Sequence, residues 1–451
     1  MLLTKKKLYK IRNSKRQTQR KMKKGGRKRR RKYRRRRSFR RRRKPLNLRK
    51  RSLKNIQKGG GKTKFFSVIP LTEGEKKYTT TRGTYDTITS NILVKVEIEA
   101  IGYVDMHSKL VPQLLASQGS YDLIVVDFYW VGEFTKAGWL MPLDDLVRRD
   151  NIDVNRYVPA LMDLVGKVDG TIYMLPFYNY AMGLTYRKDL VADADHQAGF
   201  KAKYGMELKE PTEWDEYMKQ VSYFTKNGTE YGVVNQGSKA DPIAMEWSNY
   251  LYANGGRFHD ENWHGELTSD AAKQALKDYI HNLQDHGPIG AASFSFDEAF
   301  NVAAQGQAYS YITYNWFMPS YEDSSQSSVV GKMALAPVPG NGSLNGAWGW
   351  AIPTSSPNAD AAWEFIKWVE SPEIVAKRAL MGGAPTRSDA FNNPEVLAKY
   401  PHYDALNNIL ATAKNFPVFT YTPQFVEVMG RELSKAVIGE KSIDDALATM
   451  N

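Results

Sequence analysis

The sequence predicts an α/β fold with more than one folding unit, preceded by a basic tail. A chain of 451 residues exceeds the usual ceiling for one hydrophobic core. Residues 92–101 have the pattern of a strand, and the patterns of a helix and a second strand follow in order. The cations are concentrated at the N-terminus, which separates this segment from the α/β part.

The basic tail comprises residues 1–64. It holds 33 of the 64 Lys and Arg and no Asp or Glu, and the remaining 31 cations face all 48 acids, a formal charge of −17. Because its like charges repel and it has few apolar residues, the tail is expected to be disordered. It would bind nucleic acid or an anionic surface with strong salt dependence. The alternative is a solvated segment with no bearing on the rest of the chain.

Composition excludes several kinds of site. The sequence has no cysteine, which rules out disulfides and Cys-ligated metal centres. The seven histidines lack metal-ligand spacing, so neither a metal nor a cofactor is expected. KGGGKT is not a phosphate loop, because Ile56 stands where its first glycine belongs. No spanning segment and no secretory signal is predicted.

The first elements follow from periodicity. Val94, Val96 and Ile98 alternate with charged residues, which predicts a strand over 92–101. Asp105 would cap the following helix, which contains Pro112. Its apolar face would comprise Met106, Leu110, Leu114 and Leu115. An apolar run over 123–126 predicts a second, buried strand, and strand-helix-strand implies a parallel pair.

An aromatic segment, DFYW, follows this second strand at residues 127–130. In open parallel sheets, ligands bind beyond the carboxyl ends of the strands. A loop with aromatic rings at the mouth of a cleft is therefore predicted, and packing of the rings under neighbouring helices is the alternative.

Residues from about 92 to the C-terminus resemble the extracellular solute-binding proteins of ABC importers, in the carbohydrate-binding group of maltose- and multiple-sugar-binding proteins. Six segments carry the resemblance in the family's order: YDLIVVDFYWVGEFTKAGWLMPLDDL, DGTIYMLPFYNYAMGLTYRKDL, EPTEWDEYMKQVSYFTK, YLYANGG, FNVAAQGQAYSYITYNWFMP and GAWGWAIPTSSPNADAAWEFIKWVESPE. The resemblance implies a two-lobed periplasmic-binding-protein-like fold with a hinge and an interlobe cleft. It also implies a monomeric, periplasmic or extracellular receptor, not an enzyme, that delivers a sugar or oligosaccharide to a permease.

The resemblance also implies how the chain is divided. The first lobe would comprise residues 65–176 plus 303–342, and the second lobe 180–300 plus 346–451. Crossings between the lobes would fall near LPFYNYA and PGNGSLNGA, where Gly340, Gly342 and Gly346 would permit rotation. Residues 65–69 could form the family's first strand. The segment that follows has weak helix propensity, which leaves open an incomplete first lobe.

A sugar site needs flat rings beside hydrogen-bonding groups, because sugars present apolar C–H faces and a rim of hydroxyls. The candidate residues are Asp127, Tyr129, Trp130, Tyr178, Asn179, Trp247, Asn315, Trp316, Trp348 and Arg387. Trp348 is preferred to Trp350, which shares its strand face. Packing within the crossing strands is the alternative for Tyr178 and Asn179, core packing for Trp247, and an interlobe ion pair for Arg387.

Two other functions are compatible with the sequence. A nucleic-acid-binding protein would act through the tail and carry the α/β part as a passenger. A glycoside hydrolase would need two carboxylates roughly 5 to 10 Å apart across the scissile bond. Its candidate acids are Asp122, Asp127, Asp144 and Asp145.

Overall fold

The computed structural model describes residues 63–70, 94–101 and 103–451, so the predictions for the basic tail and for segment 71–93 lie outside the described residues. The strands are β1 (Thr63–Pro70), β2 (Val94–Ile101), β3 (Ile124–Asp127), β4 (Lys167–Val168), β5 (Thr171–Ile172), β6 (Leu175–Asn179), β7 (Met182–Arg187), β8 (Tyr231–Val233), β9 (Ala308–Tyr314), β10 (Met333–Ala336) and β11 (Ala347–Ala351).

The α-helices between and after these strands are α1 (Tyr103–Leu115), α2 (Phe128–Lys136), α3 (Asp144–Arg149), α4 (Pro159–Leu161), α5 (Lys188–Ala192), α6 (Ala194–Tyr204), α7 (Trp214–Phe224), α8 (Asp241–Ala253), α9 (Asp270–His281), α10 (Phe296–Ala304), α11 (Met318–Tyr321), α12 (Ala359–Val369), α13 (Pro372–Leu380), α14 (Ser388–Phe391), α15 (Pro394–Lys399), α16 (His402–Thr412), α17 (Thr422–Val437) and α18 (Ile443–Met450). Within the described part of the chain, none of them is long and apolar enough to cross a membrane.

The first predicted strand and helix are confirmed as β2 and α1, with two corrections. Met106 and Leu110 are fully buried, as the apolar face requires. Leu115 is 66% exposed, because the last residue of the helix is rotated by about 100° from its neighbour Leu114. Asp105 lies inside the first turn of α1 and does not precede the helix as a cap. The strand predicted over 65–69 is β1.

The first sheet has the order β3-β11-β6, and both pairings are antiparallel. Trp348 of β11 lies opposite Asp127 of β3 and opposite Tyr178 of β6. The predicted parallel pairing of β2 with β3 is wrong in the described ladders. There β2 pairs antiparallel with β1, and β3 takes its neighbour from a strand more than two hundred residues later.

The second sheet has the order β10-β7-β9-β8. Strand β7 pairs antiparallel with both β9 and β10, whereas β8 and β9 are parallel. Every residue of β9 is buried, because helices cover this sheet. The strand is therefore apolar or aromatic along most of its length.

The chain passes between the two sheets at the two predicted places. The first crossing comprises residues 180–181, between β6 and β7, and the second crossing comprises residues 337–346, between β10 and β11. Of the three glycines predicted to permit rotation, Gly340 has a left-handed φ of 71°. Gly342 and Gly346 are needed for close packing, since a Cβ on Gly346 would lie 2.6 Å from Tyr180 Cδ2.

The predicted division into lobes is wrong for the returning segments. Residues 303–342 were expected in the first lobe, but β9 and β10 pair with β7 of the second sheet. Residues from 346 onward were expected in the second lobe, but β11 pairs with β3 and β6 of the first sheet. The chain reaches the second sheet again with α16, which packs against β7 and β10.

Candidate ligand-binding cleft

The candidate site begins at the carboxyl end of β3. Asp127 is the last residue of this strand and is 2% exposed. It precedes α2 at the position where an aspartate normally caps a helix, yet its side chain makes no capping hydrogen bond. The carboxylate instead accepts a hydrogen bond from the Tyr180 hydroxyl, which lies in the first crossing. Asp127 is therefore oriented toward the junction between the sheets.

The aromatic residues after Asp127 form the first turn of α2, so the loop predicted for DFYW is wrong. Tyr129 and Trp130 are buried, at 5% and 6% exposure. The Trp130 ring meets the half-buried ring of Trp348 edge to face, with centroids 5.8 Å apart and planes at 86°. This geometry suits the quadrupoles of two indoles. One wall of the site thus consists of an indole pair from α2 and β11.

A second group of rings follows β9 on the other sheet. Trp316 is half-buried and lies parallel to Tyr314, with centroids 4.1 Å apart and planes at 12°. Phe296 meets Trp316 edge to face at 6.2 Å. The three rings form the wall supplied by the second sheet.

Tyr180 joins the two walls. Its hydroxyl contacts Asp127 on the first sheet. Its ring centroid lies 5.7 Å from the ring centroid of Trp316 and 5.8 Å from that of Tyr314, both at the second sheet. Asp127 in turn lies opposite Trp348 in the ladder. The structure therefore brings Asp127, Trp316 and Trp348 into one connected group, with Trp130 against Trp348.

Asp241, which the sequence analysis missed, adds a second carboxylate. It is the first residue of α8 and is partly buried. Burial raises its pKa from 3.8 to about 6, and no donor or cation among the described residues offsets this shift. Burial also raises the pKa of Tyr314, and the nearby carboxylates of Asp241 and Asp127 raise it further. The carboxylates of Asp241, Asp127 and Glu246 thus all act on the same phenol. The signal that the sequence offers at this position, an acid before a proline, is typical of a helix start and does not by itself indicate a binding site.

Two predicted residues are bonded to each other. Asn315 Nδ2 donates to Asn179 Oδ1 at 2.9 Å, and both side chains are buried. The side-chain amide of Asn179 also donates to the carbonyl of Pro385. The backbone N–H of Asn315 donates to the carbonyl of Ala181 at 3.1 Å. These bonds fix the first crossing to its surroundings. The hydrogen bonds of Asn179 agree with the alternative of packing within the crossing strands. Tyr178, the residue before Asn179, is half-buried.

Two other predicted residues lie away from this group. Trp247 is completely buried in α8 and packs edge to face against Phe258 at 6.4 Å, which makes it a core residue. Arg387 is 5% exposed and is held by Asp389, with Nε to Oδ1 at 3.0 Å, and by the carbonyl of Glu370. Both residues that accept hydrogen bonds from the Arg387 guanidinium lie within the segment that follows β11. The ion pair with Asp389 therefore forms within one lobe and not between two.

The two tryptophans of β11, Trp348 and Trp350, have different surroundings. The ladder with β6 shifts register between Trp348 and Gly349, so the two indoles do not share one environment. Trp350 is 1% exposed, and its Nε1 donates to Glu370 Oε1 at 2.8 Å. Trp350 belongs to the core behind the sheet, and Trp348 faces Trp130.

Known proteins resemble this chain over most of its length. The family described as "Bacterial extracellular solute-binding protein" matches residues 93–376. A mannitol-binding protein of Pseudomonas aeruginosa is 27% identical over 368 residues, which is 76% of this chain and 81% of the relative.

Two solved structures have the same fold. A solute-binding protein of an ABC transporter from Agrobacterium radiobacter K84, in complex with ribitol, superposes with a TM-score of 0.68 at 25% identity, over 78% of this chain and 88% of that one. Another from Thermotoga lettingae, bound with α-D-tagatose, has a TM-score of 0.65 at 26% identity and the same coverage. The fold is thus two-lobed, with a hinge and a cleft between the lobes.

Proposed function

The chain belongs to the bacterial extracellular solute-binding protein family, and from this premise we propose that it is the receptor subunit of an ABC importer. The receptor binds a neutral sugar or polyol in the cleft and delivers it to the transmembrane permease, from the periplasmic or extracellular side. It releases the ligand unchanged. The observation that carries the proposal is a buried aspartate, Asp127, among aromatic rings supplied by both sheets.

The chemistry of these side chains suits a polyhydroxylated ligand. Trp130 and Trp348 on one wall, and Trp316 on the other, would cover the apolar C–H faces of the ligand. The carboxylates of Asp127 and Asp241 would accept hydrogen bonds from its hydroxyls. These five residues are the proposed binding site.

A neutral ligand is favoured over an anionic one. The carboxylates of Asp127 and Asp241 would repel a negative charge. Two guanidinium groups near the first sheet are already paired, Arg378 with Glu370 and Arg387 with Asp389. The ligands named for three similar proteins, mannitol, ribitol and α-D-tagatose, are neutral and carry many hydroxyls. This agreement supports a polyol or a monosaccharide.

Isothermal titration calorimetry of the full chain tests the proposal. D-mannitol, ribitol, D-tagatose and maltotriose are titrated in turn, with D-gluconate as an anionic control. At least one neutral compound is expected to bind with a Kd of about a micromolar or lower, on the order of −8 kcal/mol, and gluconate is expected not to bind. If the folded chain binds none of the four neutral compounds at millimolar concentration, the proposal is overturned. Release of reducing ends from maltotriose would instead indicate a hydrolase.

A further inference from the structure

Tyr180 has an unusual position in the backbone of the hinge. It lies in the first crossing, between β6 and β7, and its amide N–H donates to the carbonyl of Gly346 at 2.8 Å, at the end of the second crossing. Its ring packs against Gly346, where even a Cβ would come within 2.6 Å of Tyr180 Cδ2. The backbone and the ring of Tyr180 therefore hold the two crossings together.

The same side chain reaches the proposed binding site. The hydroxyl donates to Oδ1 of Asp127, and the ring lies 5.7 Å from Trp316. Asp127 lies opposite Trp348, two residues beyond Gly346. Tyr180 in the first crossing thus contacts Asp127, Asp127 lies opposite Trp348 in the ladder, and Trp348 follows closely on the second crossing, which Tyr180 also contacts.

We propose that Tyr180 is a positioning residue that couples the hinge to the orientation of the ligand-binding carboxylate of Asp127. Rotation at the crossings would move the ring of Tyr180, because Gly346 and Trp316 pack against it. The hydroxyl would move with the ring and change the orientation of Asp127. This inference rests on the proposed function, in which Asp127 accepts hydrogen bonds from the ligand.

The physical reason is that a tyrosine hydroxyl donating to a carboxylate forms a charge-assisted hydrogen bond. Such a bond favours the ionised form and fixes the plane of the carboxylate. Because Asp127 is 2% exposed, bonds to protein groups, among them the bond from Tyr180, hold its carboxylate more than water does. Without the Tyr180 hydroxyl, the carboxylate would be less well ordered before the ligand arrives, and affinity would fall.

The test is Tyr180→Phe in the full chain, with D-mannitol, ribitol and D-tagatose as probes. This change keeps the ring that packs on Gly346 and removes only the hydroxyl. The matched control is Tyr186→Phe on β7, which removes a tyrosine hydroxyl that donates to Glu210 Oε2 at 2.8 Å. Tyr180→Phe is expected to raise the Kd roughly 5- to 30-fold, and Tyr186→Phe less than about twofold.

A double-mutant cycle with Asp127→Asn separates positioning from a general structural effect. If Tyr180 acts through Asp127, Tyr180→Phe has almost no further effect in the Asp127→Asn background. Additive effects of the two changes would overturn the inference and leave the proposed function intact. An unchanged Kd for Asp127→Asn, or no binding of any probe by the unaltered chain, would overturn the proposed site itself.

A second variant is used if Tyr180→Phe does not fold. Gly346→Ala keeps the hydroxyl but pushes the ring away from its place, because the added Cβ meets Tyr180. It is expected to weaken binding in the unaltered background and not in the Asp127→Asn background. Equal weakening in both backgrounds would contradict the coupling.

Discussion

Trp316→Ala is the sharpest test of the wall supplied by the second sheet. The indole is half-buried and is covered on one side by Tyr314, at a centroid distance of 4.1 Å. The apolar C–H face of a sugar or polyol would meet the part of the indole that the neighbouring rings leave exposed. Truncation of a desolvated aromatic anchor usually costs about 1 to 3 kcal/mol of binding free energy, which is roughly a 5- to 150-fold rise in Kd.

The assay must distinguish lost binding from lost folding. The aromatic pair with Tyr314 is worth about 0.5 to 1.5 kcal/mol beyond its buried area, which a domain stable by about 5 to 15 kcal/mol tolerates. Calorimetry is therefore combined with a thermal melt. Trp247→Phe is the control, because that indole is buried in α8 and should affect stability but not Kd. A folded Trp316→Ala variant with a Kd within twofold of the unaltered chain would refute the placement of the ligand.

Three further predictions address the other wall, the second carboxylate and the tail. Trp130→Ala is expected to cost a similar 1 to about 3 kcal/mol in calorimetry, since its ring supports Trp348 edge to face; an unchanged Kd would remove α2 from the site. Burial raises the pKa of Asp241 from 3.8 to about 6, so the folded chain loses stability as pH rises from about 4 through 6. Asp241→Asn should therefore raise the free energy of unfolding by about 1 to 3 kcal/mol at neutral pH and change it little near pH 4; urea unfolding that shows the same effect at both pH values contradicts this. Residues 1–64 are expected to retard DNA in a gel shift with an affinity that falls steeply between roughly 50 and 200 mM salt, and salt-insensitive retardation would exclude them as the agent.

Features that depend on a few neighbouring residues could be predicted from the sequence. Alternation of apolar and charged residues predicted β2, and the spacing of Met106 and Leu110 predicted α1. The positions of both crossings were also predictable, because the family-like segments around them are distinctive. The error at DFYW arose from the local sequence, because the three aromatic residues that begin α2 are also typical of a loop at the mouth of a cleft.

The membership of strands in sheets could not be predicted in the same way. The sequence indicates where the chain leaves one sheet, but not which sheet receives it. Strands β9 and β10 return to β7, and β11 inserts between β3 and β6, over separations of more than one hundred residues. Such pairings depend on the fit of whole surfaces, which no window of neighbouring residues contains.

Sequence reasoning also reached only some of the candidate site residues, because contacts between distant parts of the chain decide which side chains meet. Residue type and position after a strand selected Trp130 and Trp316, and the family-like segment GAWGWA selected Trp348. In the structure, Trp130 contacts Trp348, and Tyr180 and Asp127 connect Trp348 with Trp316. Tyr180 was missed because its importance depends on Asp127, which lies 53 positions earlier in the sequence. Trp247 was selected because an aromatic residue suits both a binding site and a core, and only burial distinguishes the two.

The two carboxylates also indicate that this region was not shaped by stability alone. Asp127 occupies a cap position without capping α2, so a cap bond worth about 0.5 to 2 kcal/mol is replaced by the hydrogen bond from Tyr180. Among the described residues, the burial of Asp241 is offset at most by the dipole of α8, worth about 0.3 to 1 kcal/mol near a helix N-terminus. Packing alone would favour apolar or capping side chains at both positions, since buried charge is costly. Both carboxylates act on Tyr314, whose ring lies against Tyr180 and Trp316. Two carboxylates kept where packing alone would favour other side chains are the pattern expected of a site that is completed by its ligand.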